Sequence, residues 1–268
     1  MTTNARGRAR KRVDRAIRKE QQQEKERTAG SAKDAAVSRV EKIEKRTGFR
    51  RFLFENSLSL AALTLFAFSF VGQVVAGHRT HNEDLRAHAE APIGIGGYLR
   101  SGAFVEATAE NWESEFLQMG LFVLLTAFLY QRGSSESKRL EEAEAVDQDP
   151  SEARDDPEAP WPVRHGGLPL MLYKHSLSLT LLSLFVVSFV VHAIGGAMDY
   201  NDEQRQHGEP AISTLAYAAT SRFWFESFQN WQSEFFSVGV LVLLSIWLRE
   251  RGSPQSKPVA ASTDETGE

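Results

Sequence analysis

The chain has 268 residues, a formal net charge of −4, 25% charged residues and no cysteine. Without cysteine there is no disulfide, no thiolate metal site, no cysteine-held iron–sulfur cluster and no thioether-attached haem, so any chemistry rests on carboxylates, imidazoles, hydroxyls and amides. The mean hydropathy is slightly negative, as in a soluble protein, but the average conceals a sharp segregation of apolar from polar segments.

Residues 1–53 form a basic tail, with 17 Lys and Arg against 7 Asp and Glu. It is expected to be a solvated, partly helical cytoplasmic segment that fixes topology, with the anionic inner leaflet as the alternative neighbour. Nucleic acid is not an expected partner, because neither a reading module nor interleaved aromatics accompany the charge. Residues 57–77, "SLSLAALTLFAFSFVGQVVAG", then carry no Asp, Glu, Lys or Arg, and as a helix they suffice to cross about 30 Å of hydrocarbon. A long polar stretch precedes them, so they read as a retained span rather than a signal peptide.

A second apolar run, 116–130, is shorter at 15 residues, about 22 Å as a helix. The helix is therefore predicted to begin at Asn111 or Trp112 and to end near Gln131. In the hexapeptide "NWESEF" at 111–116, Asn111 is the expected N-cap, Trp112 an interfacial anchor, and Glu113 and Glu115 lie in the first turn near the positive end of the helix dipole. At the far end Arg132 and Gly133 supply a cation and a left-handed C-cap. Residues 139–172 are acidic and contain proline, a composition that buries too little apolar surface to fold alone and reads as a cytoplasmic linker.

The chain then repeats itself. Setting 54–138 against 173–257 at a constant offset of 119 gives 33 identities in 85 positions without a gap. The third and fourth apolar runs, 176–198 and 235–248, follow the first two, "NWQSEF" returns at 230–235 with Asn230, Trp231 and Glu234, and "RGSSESK" at 132 returns as "RGSPQSK" at 251. Residues 258–268 are a short tail. The predicted architecture is an all-α membrane protein of four transmembrane helices, built from two parallel tandem hairpins, with disordered or partly helical polar tails. A unit with an even number of spans enters the membrane in the same direction each time, which implies a pseudo-two-fold axis along the membrane normal. Segments 78–111 and 199–230 hold only three and two Lys or Arg, so both termini are expected in the cytoplasm of a multi-pass inner-membrane protein.

The unit "ENSLSL", "NED" with "RAH", "NWESEF" and "RGSSESK" resembles a bacterial membrane-protein family described only as a domain of unknown function, present here as two tandem copies. The second copy departs at "YKHSLSL", where Lys174 and His175 stand in place of Glu55 and Asn56. The resemblance implies the membrane architecture and no activity.

Ser69, Gln73 and Gly77 fall at i, i+4 and i+8, as do Ser188, His192 and Gly196, which places each set on one helical face. Glu115 and Glu234 descend to a similar depth on the following helices. A polar cluster near the outer edge of the bundle is therefore expected, pairing Gln73 with Glu115 and His192 with Glu234 and joining helices by interhelical hydrogen bonds. The same groups would serve the alternative, a small transporter or proton-linked channel, although the first half lacks the histidine that a symmetric relay needs. No catalytic residue, enzyme activity, cofactor or metal is expected. The pairs that come nearest to a metal site, His88 with Glu90 and His207 with Glu209, are spaced i, i+2, point apart on a helix, and lack a second histidine at i+4. Trp224, Phe228, Trp231 and Phe235 form an aromatic face suited to the headgroup region, with a quinone or lipid site as the alternative. The expected role is a structural or interaction protein of the bacterial inner membrane, with the lipid bilayer and a second copy or another membrane protein as partners.

Overall fold

A computed structural model of the chain describes residues 45–267 and scattered positions from 30 to 43. Most of the basic tail lies outside the described residues. Those residues form nine α-helices and no strand: α1 (Gly48–Glu55), α2 (Ser57–Ala87), α3 (Ile95–Tyr98), α4 (Gly102–Thr126), α5 (Trp161–His165), α6 (Gly167–Tyr173), α7 (Ser176–Gln206), α8 (Thr214–Ala218) and α9 (Ser221–Leu244).

The segments that align at an offset of 119 share local structure. Helices α2 and α7 are both 31 residues long at corresponding positions, and the loop after each is closed by the same device. Asn82 accepts from the Ile93 amide at 2.7 Å and donates to its carbonyl at 3.0 Å, and Asn201 does the same to Ile212 at 2.8 and 2.9 Å. One carboxamide thus satisfies both backbone groups of a loop residue that no ladder or helix serves. Asn201→Ala should cost about 1–3 kcal/mol by leaving those groups unpaired, read as a lowered melting temperature in detergent, and Asn82→Ala should cost less, because His78 Nε2 also lies 2.7 Å from the Ile93 carbonyl oxygen.

Ser101 and Thr220 then cap α4 and α9, their hydroxyls accepting from the amides of Phe104 and Phe223, each at 3.3 Å. The expected caps Asn111 and Asn230 are corrected by this. The helices start nine residues earlier than the apolar runs suggest, because "GAFVEATAE" is itself helix-compatible and Ser101 provides the stop signal before it. Asn111 and Asn230 sit in mid-helix and donate back to the carbonyls of Ala107 and Glu226 at 2.7 and 3.2 Å. Glu113 and Glu115 are accordingly not at a helix terminus. At the other end α4 and α9 stop at Thr126 and Leu244. Gly133 and Gly252 are left-handed as expected, with φ of +84° and +86°, but in turns beyond the helices. In those turns Ser137 accepts from the Gln131 amide at 2.9 Å and Ser256 from the Glu250 amide at 2.8 Å.

The linker is more organised than its composition suggests, through local polar bonds rather than a core. Lys138 pairs with Asp147 at 2.6 Å, Glu144 and Asp147 form a capping box around a 3₁₀ turn, and Trp161 stacks on His165. The last residues are likewise tied down. Lys257 is buried and donates to the carbonyls of Ser262, Thr263 and Glu265 at 3.2, 3.1 and 2.8 Å. The Gly133 amide donates to Thr266 at 2.8 Å, and Ser134 bonds Ser245 at 2.8 Å.

The chain divides into two units, Met1–Gln73 and Val74–Glu268. The first contains α1 and the first half of α2. The second contains the rest, and its centre is α4 packed antiparallel on α7, a helix from one half of the repeat against a helix from the other. Glycines give the reason for this close pairing. A Cβ on Gly195 of α7 would lie 2.5 Å from the Glu106 amide nitrogen, one on Gly102 would collide with the Asp199 backbone, and one on Gly120 would lie 3.0 Å from Leu182. Bare backbone at these points lets the axes approach closely. Beside this pair Ala193, Ala197, Tyr217 and Phe223 form a small apolar core, and α9 reaches α7 through rings, Phe189 against Phe223 and Phe185 against Trp231.

Two helices, α2 and α7, are long and apolar enough to cross a membrane, and only 0% and 17% of their most apolar windows are buried. Helices α4 and α9, the other two expected spans, have 25 and 24 residues but contain only the shorter apolar runs, so the four-span expectation is met by two helices.

Candidate functional site

Where α4, α7, α8 and α9 meet, the interior is polar. From α4 come Glu106, Glu110 and Glu113 at i, i+4 and i+7, one face of the helix. His192 comes from α7, Tyr217 from α8, and Arg222, Glu226 and Trp231 from α9.

His192 and Glu113 have no solvent exposure at all. The imidazole Nδ1 lies 2.7 Å from Glu113 Oε2, and the Trp231 indole donates to Glu113 Oε1 at 2.8 Å. An ionised carboxylate only accepts, so Nδ1 carries the proton in that contact. Phe223 packs against the ring with centroids 4.8 Å apart. The second nitrogen, Nε2, is buried without a hydrogen-bond partner and faces Glu226 Oε2 at 3.6 Å.

Tyr217, also fully buried, places its hydroxyl 2.7 Å from Glu226 Oε2 and 2.9 Å from Glu106 Oε1. A phenol has one proton and cannot donate to two carboxylates at once. The three side chains therefore cannot all be ionised with both contacts kept, and one further proton is shared among Glu106, Tyr217 and Glu226. Arg222 closes the outer side, donating to Glu226 at 3.0 Å and to Asp199 at 3.4 Å and pairing with Glu203.

One atom each from Glu106, His192 and Glu226 lie within 4.8 Å of one another, the one group of three or more such residues able to hold a metal among those described. The arrangement can therefore share a proton along Glu106, Tyr217 and Glu226, or bind a cation between the imidazole and the two carboxylates.

Of the residues singled out in the sequence, His192 is in the site, but its partner is Glu113 and not Glu234. Glu115, two positions along the same helix, turns about 200° away from Glu113 and is exposed, while Glu234 is half-buried and makes no bond to His192. Ser188 is buried one turn before His192, and Ser69 and Gln73 belong to the first unit. Trp231 acts as a hydrogen-bond donor inside the site, whereas Trp112 is 43% exposed. The rings of His88 and His207 lie 6.5 Å apart, yet each Nδ1 bonds a carbonyl of its own helix, Asp84 at 3.0 Å and Glu203 at 2.8 Å, and neither joins Glu90 or Glu209 in a metal group.

Glu106, Glu110, Arg222 and Glu226 were not legible as a site, and the repeat explains why. At the offset of 119, Glu106 aligns with Phe225, Glu113 with Gln232, Gln73 with His192, Ala103 with Arg222 and Ala107 with Glu226. The ionisable residues of the site fall where the halves disagree, while the shared Tyr217, Phe223 and Trp231 only frame it. The signal present was the spacing of Glu106, Glu110 and Glu113.

Among known families, the one described as Domain of unknown function (DUF6766) matches residues 49–268. It does so as one domain that encloses both halves, the linker and the C-terminal tail, which corrects the reading of two tandem copies. No curated protein and no solved structure matches the chain.

Proposed function

The chain belongs to the DUF6766 family, whose single domain takes in both halves of the repeat, and we propose that here this domain is a multi-pass structural or interaction protein of the bacterial inner membrane. It crosses four times, with both termini and the acidic linker in the cytoplasm. The observation that carries this reading is the exposure of α2 and α7. Leu58, Phe68 and Val187 are 84%, 79% and 60% exposed on helices whose apolar windows are almost entirely uncovered. Apolar surface left in water forgoes about 25 cal/mol per Å², and exposure of this extent along each helix calls for lipid or a protein partner. Helices α4 and α9, roughly 36–38 Å long at 1.5 Å per residue, have the length to return the chain. The excess of Lys and Arg in the N-terminal tail supports the orientation. The expected partners are the bilayer and a second copy or another membrane protein.

Transport or proton conduction has less support. The buried ionisable groups of the helices gather around the middle and second half of α7, and in its first half the buried polar residues are Ser178 and Ser188, both hydroxyls, among the described residues.

Because the chain has no cysteine, single cysteines at Glu90, Glu209 and Ala145 give a clean topology test. An impermeant maleimide should label the first two in intact spheroplasts and the third only after permeabilisation. The opposite pattern overturns the orientation, and labelling of Glu90 and Glu209 positions on opposite sides overturns the four crossings.

A further inference from the structure

We propose that Glu106, His192 and Glu226 bind one first-row divalent metal ion, of the Zn²⁺ or Mn²⁺ type. The inference holds whether or not the helices cross a membrane, since it rests on side-chain geometry within the second unit.

The first observation is the state of His192. Its Nδ1 is committed to Glu113, whose other oxygen is fixed by the Trp231 indole, so turning the ring breaks its hydrogen bond to Glu113. That leaves Nε2 fully buried and without a hydrogen-bond partner. A carboxylate that orients an imidazole through Nδ1 while Nε2 points inward is the usual support for a metal-ligating histidine.

The second observation is what Nε2 faces. Glu226 Oε2 lies 3.6 Å away, a gap that a positive charge between the two atoms would bridge. Two ligand atoms bound at about 2.1 Å to a tetrahedral ion are separated by about 3.4 Å, close to the distance seen. Glu106 supplies the third atom, with all three within 4.8 Å of one another, so closure on an ion needs only a small inward shift. The Tyr217 hydroxyl touches both carboxylates and holds their oxygens toward the same space.

The donor set selects the ion. One nitrogen and carboxylate oxygens without sulfur suit first-row divalent ions, whereas Ca²⁺ and Mg²⁺ prefer all-oxygen shells and Cu⁺ prefers thiolate or thioether. Two ligand carboxylates neutralise the ion's charge. At the repeat-related positions stand Phe225, Gln73 and Ala107, which cannot make a second such site, so the stoichiometry is one ion per chain. The ligands come from α4, α7 and α9, and an ion there joins the two halves of the repeat.

The test uses the full-length, tag-free protein in detergent, stripped with EDTA and dialysed separately against Zn²⁺ and Mn²⁺, and against Co²⁺ as a spectroscopic probe, with metal content measured by mass spectrometry. Wild type should retain one ion per chain and show a Co²⁺ d–d band. His192→Gln, Glu226→Gln and Glu106→Gln should each weaken binding by about tenfold or more, as loss of a ligand or its support does, and His207→Gln should bind as wild type does. Circular dichroism and size exclusion identify any variant that fails to fold, and the remaining ligand variants then decide. Substoichiometric binding by wild type, unchanged binding in the folded ligand variants, or loss that follows His207 overturns the proposal; in that case the charge between Nε2 and Glu226 is a proton.

Discussion

Glu113→Leu should lower stability by about 3–5 kcal/mol, the usual result of removing one partner from a buried ion pair. The leucine strips the His192 Nδ1 and the Trp231 indole of their shared acceptor in a place that water does not reach, since both Glu113 and His192 are fully buried. Glu113→Gln keeps an acceptor oxygen for one of the two donors and should cost less, on the order of 1–2 kcal/mol. Glu115→Leu, two residues away on the exposed face of α4, should fall within about 0.5 kcal/mol of wild type. Thermal or denaturant unfolding in detergent measures all three. Equal losses at Glu113 and Glu115 would mean that the face of α4 has been assigned wrongly.

Gly195→Ala should be strongly damaging although it adds a single methyl group. Alanine is the better helix former by about 1 kcal/mol, so propensity alone predicts a gain. The new Cβ would instead sit 2.5 Å from the Glu106 amide nitrogen and 2.8 Å from Val105 Cγ1, and backbone cannot step aside as a flexible side chain does. The α4 and α7 axes must separate, which overpacking data place at about 1–3 kcal/mol or more, and the opening would also stretch the contact between His192 and Glu113. Gly239→Ala in α9, where nothing lies within 4 Å of the added atom, should be neutral or slightly stabilising. The two alanine variants thus differ in sign, and a comparison of their melting temperatures separates close helix approach from helix propensity.

Both expectations concern features that sequence patterning reached only in part. The repeat led to His192, because Ser188, His192 and Gly196 mark one face of a helix, and it led to the correct depth for a carboxylate partner. Depth follows from counting residues along an axis. The choice between Glu113 and Glu115 follows from rotation about that axis, and a helix that begins at Ser101 rather than at Asn111 offers no dipole argument for either. The same gap separated the hexapeptide's tryptophans. Trp231 turns its indole onto a buried carboxylate, and the carboxylate it meets belongs to the other half.

The sequence alone determined the properties that a segment carries within itself: the two long apolar helices, the duplication at a fixed offset, and the glycines that turn the chain after Gln131 and Glu250. Each depends on local composition, spacing or backbone freedom and needs no distant partner. The tertiary structure alone decided that α4 packs on α7 across the repeat, that Glu113 rather than Glu234 meets His192 from 79 positions away, and that Glu106 and Glu226 converge on the same imidazole. Those outcomes depend on the rotation and offset of helices distant in the chain, set by where glycine removes a side chain from the contact, and no local pattern encodes them.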